Sequence, residues 1–87
     1  MWPADAEIDL HGIRTREVRL RLVPFLDRGY AEGWETVRII HGKGTGALRA
    51  KVWEILAELF YIKSYRTGFI FEGGSGTTVV EYREENQ

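Results

Sequence analysis

The 87-residue sequence contains no cysteine, so it has no disulfide, no thiolate metal site and no cysteine nucleophile. Prolines number two, and histidines are confined to His11 and His41. Imidazole chemistry therefore rests on those two side chains alone. No run of about 18 apolar residues is present, which excludes a membrane-spanning helix. The opening MWPADAEIDL lacks a basic region followed by an apolar segment, so a secretory signal is not expected there. A cytoplasmic setting with no membrane partner is the expectation.

What is present describes a globular chain. The sequence is 44% hydrophobic and 29% charged, with ten glycines and eleven aromatic residues. At this length it is one domain, residues 1–87, with a core over about 7–82 and a frayed tail at 83–87. The formal net charge of -1 conceals an asymmetry. Between Arg14 and Arg66 eleven basic residues stand against six acidic ones, while both flanks are acidic. A basic middle suits a polyanionic partner, and an ordinary solvated surface of mixed charge would read the same way.

Hydrophobic periodicity orders the elements as βαβαββ. Residues 7–10 alternate polar and apolar, as a half-buried strand does. Thr15 is positioned to cap a helix running to about Tyr30, with Val18, Leu22, Phe25 and Leu26 on one stripe. Pro24 predicts a kink or a loosened turn in that helix, and Gly29 and Gly33 predict its exit. Residues 37–40 read as a strand, and 47–60 as an amphipathic helix facing inward through Leu48, Val52, Ile55, Leu56 and Leu59. Residues 62–72 are strand-like with a bend at Gly68, Gly73 to Gly76 form a turn, and 77–82 form a last strand. The helical crossovers require parallel pairing early, and the glycine turn an antiparallel hairpin late. The expected fold is a two-layer α/β sandwich: a mixed four-stranded sheet, two helices on one face and an open face or rim on the other.

Two strand exits carry chemistry. After the second strand comes HGKGTG, residues 41–46. Gly42, Gly44 and Gly46 remove side chains so that backbone N–H groups can line a concavity at the next helix N-terminus, where anions bind. Lys43 adds a charge and Thr45 a hydroxyl. The spacing fits neither a P-loop nor a dinucleotide fingerprint. After the first strand comes DLHG, residues 9–12, in which alternation puts Glu7, Asp9 and His11 on the face opposite Ile8 and Leu10. Alone, that pattern is equally a capped turn beside a solvated histidine. Parallel pairing, however, brings both strand ends to one sheet edge, so His11 and Asp9 lie near His41 and the glycine loop.

The set DLHG (9–12), HGKGTGALR (41–49) and GGSGTTVV (73–80), in that order and spacing, resembles the Smr, or small MutS-related, domain. The resemblance covers about residues 7–82. It implies an α/β sandwich that nicks DNA or cleaves RNA. Such domains occur as stand-alone proteins or at the C-terminus of larger ones such as bacterial MutS-like proteins, which implies DNA repair or recombination. The start at MWPADA reads as a domain cut from a longer polypeptide. By motif position the resemblance carries over Asp9 and His11, then His41 with the Gly42–Gly46 loop, then Gly73, Gly74, Gly76 and Thr77.

The expected activity is a nucleic-acid endonuclease. Asp9, His11 and His41 are the candidate catalytic residues, with the two imidazoles sharing base and acid roles. Phosphate is expected at Gly42, Lys43, Gly44, Thr45, Gly46, Gly73, Gly74, Gly76 and Thr77, and backbone contacts at Arg14, Arg16, Arg19 and Arg49. No cofactor is needed if RNA is cut, because its 2′-hydroxyl can attack. DNA requires water as nucleophile, and Mg or Mn held by Glu7 and Asp9 would help. The competing expectation is a non-catalytic module that binds DNA, RNA or a ribosome for a larger protein.

Overall fold

The computed structural model describes residues 4–84. Strand β1 is Ala6–Asp9, helix α1 Thr15–Glu32, strand β2 Thr36–Ile40, helix α2 Ala47–Glu58, strand β3 Ile62–Thr67 and strand β4 Thr77–Tyr82. The sheet order is β1-β2-β4-β3. Strands β1 and β2 pair in parallel, with Asp9 opposite Ile40, while β4 runs antiparallel to both β2 and β3. The α/β sandwich with a mixed four-stranded sheet is as the periodicity predicts. Among the described residues, no helix is long and apolar enough to cross a membrane.

The core follows the two apolar stripes. Val18, Leu22 and Leu26 of α1 and Val52, Ile55 and Leu56 of α2 pack with Val37, Ile39 and Val80 of the sheet, all essentially fully buried. Each such side chain stabilises the fold by roughly 2 kcal/mol relative to an exposed one. Both helices therefore cover one face of the sheet.

Helix α1 departs from expectation in three places. Arg14, with φ −83° and ψ 148°, occupies the N-cap and makes no side-chain cap, while Thr15 already lies in the first turn. The helix is uninterrupted through Pro24, which is exposed, as is Leu20 one turn earlier. The Leu20 carbonyl loses its amide partner there, and water can replace it. Gly29 is not the exit: it is buried inside the helix beneath Trp34 and Tyr82, and Gly33, in the left-handed region at φ 78°, ends the helix.

The largest departure lies after β3. The strand expected over 62–72 stops at Thr67, and residues 68–76 leave the sheet through two short 3-10 turns, Ile70–Glu72 and Gly74–Gly76. Gly68 still donates to the Thr77 carbonyl, after which the chain turns back on itself, with the Glu72 and Gly74 amides donating to the Phe69 carbonyl. This excursion folds over the sheet face that the helices leave uncovered. Glu72 is 1% exposed there, its carboxylate taking two hydrogen bonds from the Arg66 guanidinium. Arg38 reaches the Glu72 carbonyl at 3.0 Å. The face expected to be open is thus partly roofed. At the C-terminal end the Arg83 amide and guanidinium are bonded to the carbonyls of Tyr61 and Phe60, and 85–87 of the expected frayed tail lie outside the described residues.

Candidate active site

The parallel β1–β2 pair brings both strand exits to one edge. The Leu10 amide donates to the Ile40 carbonyl at 2.7 Å, carrying the pairing one step beyond the strands. His11 then lies beside Gly42, where an added Cβ would come within 3.5 Å of the His11 Cβ. Gly42 has φ 78°, so the loop needs glycine there for its backbone as well as for this approach.

Asp9 and His11 form a dyad. The Asp9 carboxylate accepts from the His11 backbone amide at 3.0 Å and from its Nδ1 at 2.6 Å. The side-chain hydrogen bond from His11 holds the Asp9 carboxyl below its ordinary range, so Asp9 is ionised and Nδ1 carries the proton. In neutral His11 the lone pair is then on Nε2. Both side chains are exposed, at 69% for His11 and 52% for Asp9. The Asp9 pair persists only above the pH at which the carboxylate takes a proton.

A concavity of about 450 Å³ opens beside this dyad, lined by His11, Gly12, Ile13, Thr15 and the whole segment from His41 to Arg49. Gly46, at φ 89°, is the N-cap of α2 and has no side chain to cap the helix itself. The Thr45 hydroxyl accepts from the Ala47 amide at 3.3 Å. Partial positive charge from the helix end therefore meets the glycine loop, which is the arrangement that binds anions. Lys43 is exposed and makes no ion pair among the described residues. The Arg49 guanidinium lies 4.3 Å from the Trp53 ring centroid and donates to the Thr67 hydroxyl at 3.2 Å.

His41 is differently placed. It is 3% exposed, and both ring nitrogens are bonded: Nδ1 donates to the Gly42 carbonyl and Nε2 meets the Thr78 hydroxyl, each at 2.8 Å. Trp53 Nε1 donates to that same hydroxyl at 2.9 Å, and because Nδ1 of the neutral ring carries the proton, the hydroxyl donates to His41 Nε2. Burial pushes the His41 pKa below the ordinary histidine value, against the pull of the Gly42 hydrogen bond. The imidazole is enclosed, with both nitrogens bonded, unlike that of His11. It fixes the loop. Sequence reasoning missed Thr78 and Trp53, although Trp53 stands one helical turn after Arg49 and that spacing is legible.

The third motif supports rather than lines the concavity. The Gly76 carbonyl accepts from the amides of His41 at 3.0 Å and Gly42 at 2.9 Å. Thr77 is 4% exposed, and its hydroxyl is bonded to the carbonyls of Glu72 and Gly74, each at 3.1 Å. Gly73 packs against Thr77. Gly73, Gly74, Gly76 and Thr77 thus hold the excursion and the loop together, and none of them lines the concavity. Arg19 is likewise occupied, with Nη1 bonded to Glu58 at 2.9 Å, whereas Arg14 and Arg16 make no ion pair among the described residues.

The two carboxylates offered for a cation share one face of β1 but are already engaged. Arg38 Nε donates to Glu7 at 2.9 Å, and Asp9 holds His11. Among the described residues, no three His, Cys, Asp or Glu side chains converge on a point that could hold a metal.

Comparison with known proteins now bears on this geometry. The family model for the Smr domain matches residues 8–83. Endonuclease MutS2 of Listeria monocytogenes serotype 4a is 44% identical over 81 residues, which are 93% of this chain and 10% of that protein. Endonuclease MutS2 of Symbiobacterium thermophilum is 49% identical over 78 residues, 90% of this chain and again 10% of that one. This chain thus spans about a tenth of the length of these relatives. Among solved structures, the Smr domain of Thermus thermophilus MutS2 superposes with a TM-score of 0.85 at 40% identity, covering 90% of this chain and 98% of that one. YdaL, a stand-alone small MutS-related protein from Escherichia coli, gives 0.87 at 31% identity, covering 94% and 67%. The three motifs converge on one sheet edge, the fold is shared and the family model spans nearly the whole chain: this protein belongs to the Smr domain family.

Proposed function

We propose that the domain is a phosphodiesterase acting on nucleic acid. One observation carries this reading: an ionised Asp9 orients His11 at the rim of a glycine-lined concavity that ends on the N-terminus of α2. The names of the relatives, endonucleases, agree with it. The scissile phosphate sits against the backbone of residues 42–46, and Lys43 meets the charge that develops on its oxygens. His11 Nε2 takes the proton of the attacking hydroxyl, and Asp9 stabilises the imidazolium that forms; the P–O5′ bond breaks and the leaving 5′-oxygen takes its proton from water. On RNA the 2′-hydroxyl is the nucleophile and no metal is needed. On DNA water attacks, and Mg or Mn at Asp9 would lower its pKa. The engagement of Glu7 by Arg38 favours RNA and the metal-independent route. Arg14, Arg16 and Arg49 supply backbone contacts, which set affinity rather than sequence preference.

The test is cleavage of matched RNA and DNA strands, with and without EDTA, by the native domain and by His11→Ala and Asp9→Asn. RNA cleavage is expected to survive EDTA and leave cyclic phosphate ends. Loss of His11 should slow it by roughly 10²- to 10⁴-fold with binding unchanged. Undiminished turnover by His11→Ala would sink the mechanism. Native protein that binds both strands and cuts neither would make this a non-catalytic binding module.

A further inference from the structure

The excursion between β3 and β4 holds Phe69, Ile70 and Phe71 in water, at 54%, 92% and 70% exposed. Three consecutive large apolar side chains make a patch of the kind that marks an interaction site. The Phe69 and Phe71 ring centroids lie 5.8 Å apart. The segment bearing them is firmly held. Glu72, buried beneath it, accepts from Arg66 Nη1 and from the Phe69 amide, each at 2.7 Å. The Gly74 amide donates to the Phe69 carbonyl at 2.9 Å. A paired, buried carboxylate is costly to break, so the rings are pre-ordered facing outward.

Their surroundings are paired charges, Arg66 with Glu72 and Arg38 with Glu7, and adjoin the active site. The Arg66 guanidinium lies 4.2 Å from the Phe69 ring centroid. Phe71 borders a shallow concavity with Glu7 and Arg38. In the sheet, Glu7 pairs with Arg38, Arg38 with Val79 and Val79 with Arg66, one row across the face that the excursion roofs. Asp9 is two residues beyond Glu7 on that same face, a step of about 6.8 Å along a strand. The aromatic patch and the Asp9–His11 dyad therefore border one continuous track.

We propose that Phe69 and Phe71 are a stacking platform for unpaired bases next to the phosphate at the glycine loop. The domain would then take single-stranded nucleic acid in preference to duplex. This rests on the nucleic-acid reading above. Bases offer flat π faces to the rings, whereas bases stacked inside a duplex cannot reach the platform. Stacking is indifferent to base identity, so the preference is for strandedness rather than sequence.

The experiment compares binding of a single strand, the matching duplex and an abasic strand with the same phosphates, at fixed salt. The proteins are the native domain, Phe69→Ala/Phe71→Ala and Phe69→Trp/Phe71→Trp. The native domain should prefer the single strand. The alanine pair should lose roughly five- to a hundredfold in affinity for it, the range that aromatic stacking supports. Binding of the abasic strand should not change, and the tryptophan pair should restore the preference. Folding is monitored by thermal melting, and both rings are exposed, so truncation leaves no core cavity. Equal native affinity for single and abasic strands would overturn the platform while leaving phosphate binding and cleavage intact. Failure to bind any of the three would overturn the nucleic-acid reading and the platform with it. A native dimer that the alanine pair dissociates would assign the patch to a second copy of the chain and also overturn it.

Discussion

At the scale of single residues, the two histidines have opposite fates for one reason. His11 follows β1 into solvent beside a carboxylate, whereas His41 stays under the sheet edge with both nitrogens bonded to Gly42 and Thr78. Both are apparent in the sequence as imidazoles at strand exits. Burial alone separates the exposed one from the enclosed one. Since His41 is held neutral, its folded pKa lies below the unfolded value of about 6.5. The unfolded chain then binds the extra proton first, so this contribution to stability is complete above about pH 6.5 and shrinks as the pH falls toward the folded pKa. Urea unfolding of the native domain should show stability declining from pH 7.5 to pH 5. In His41→Asn the decline over that window should be flatter, on a baseline lowered by about 2 kcal/mol for the lost hydrogen bond. An unchanged slope would mean that another group titrates there.

At the scale of elements, helix α1 shows where propensity misleads. Gly29 inside an 18-residue helix reads as a weak point, and replacing it with alanine should help by about 1 kcal/mol on propensity alone. In the fold an added methyl there overlaps the Tyr82 hydroxyl and the Trp34 ring. Tyr82 cannot readily retreat, because its hydroxyl donates to the Leu26 carbonyl at 2.9 Å. Gly29→Ala should therefore destabilise by roughly 1–3 kcal/mol in urea, as overpacked core sites do. Gly46→Ala should cost a similar 1–2 kcal/mol for a different reason, a backbone at φ 89° with open space around it. That cost should appear in melting temperature with no change in the core's near-ultraviolet signal. The truncation of β3 belongs to this scale as well. IKSYRTGFIFE alternates well enough to read as one strand, but the chain folds back after Thr67 so that Arg66 and Glu72 pair, a contact that strand alternation does not announce.

At the scale of the whole molecule, the basic middle of the chain resolves into two populations. Arg19, Arg28, Arg38, Lys51, Lys63 and Arg66 each face a carboxylate within 4 Å. Among the described residues, Arg14, Arg16, Arg21, Lys43 and Arg49 do not, and Lys43 and Arg49 belong to the segment that lines the concavity. The charge that a polyanion would meet is thus local, although the net charge is -1. Lys43→Ala should weaken nucleic-acid binding about equally for all sequences and reduce the slope of log affinity against log salt by about one phosphate contact. Arg19→Ala should leave that slope unchanged, since its charge is already balanced by Glu58. Equal effects from both substitutions would point to a diffuse surface field instead of a defined site.

The element order, the two core stripes, the parallel β1–β2 unit and the meeting of DLHG with HGKGTG are legible in the residue pattern. All of these follow from periodicity and from short crossovers whose handedness and direction physics restricts. Only the tertiary structure decided that β4 inserts between β2 and β3, that His41 is enclosed and that GGSGT braces the loop from behind. It alone turned Phe69–Phe71 outward. Those outcomes depend on burial and on hydrogen bonds between residues far apart in the chain. A local pattern shows what each residue is able to do, and only the packed neighbours decide which of those capacities remains free.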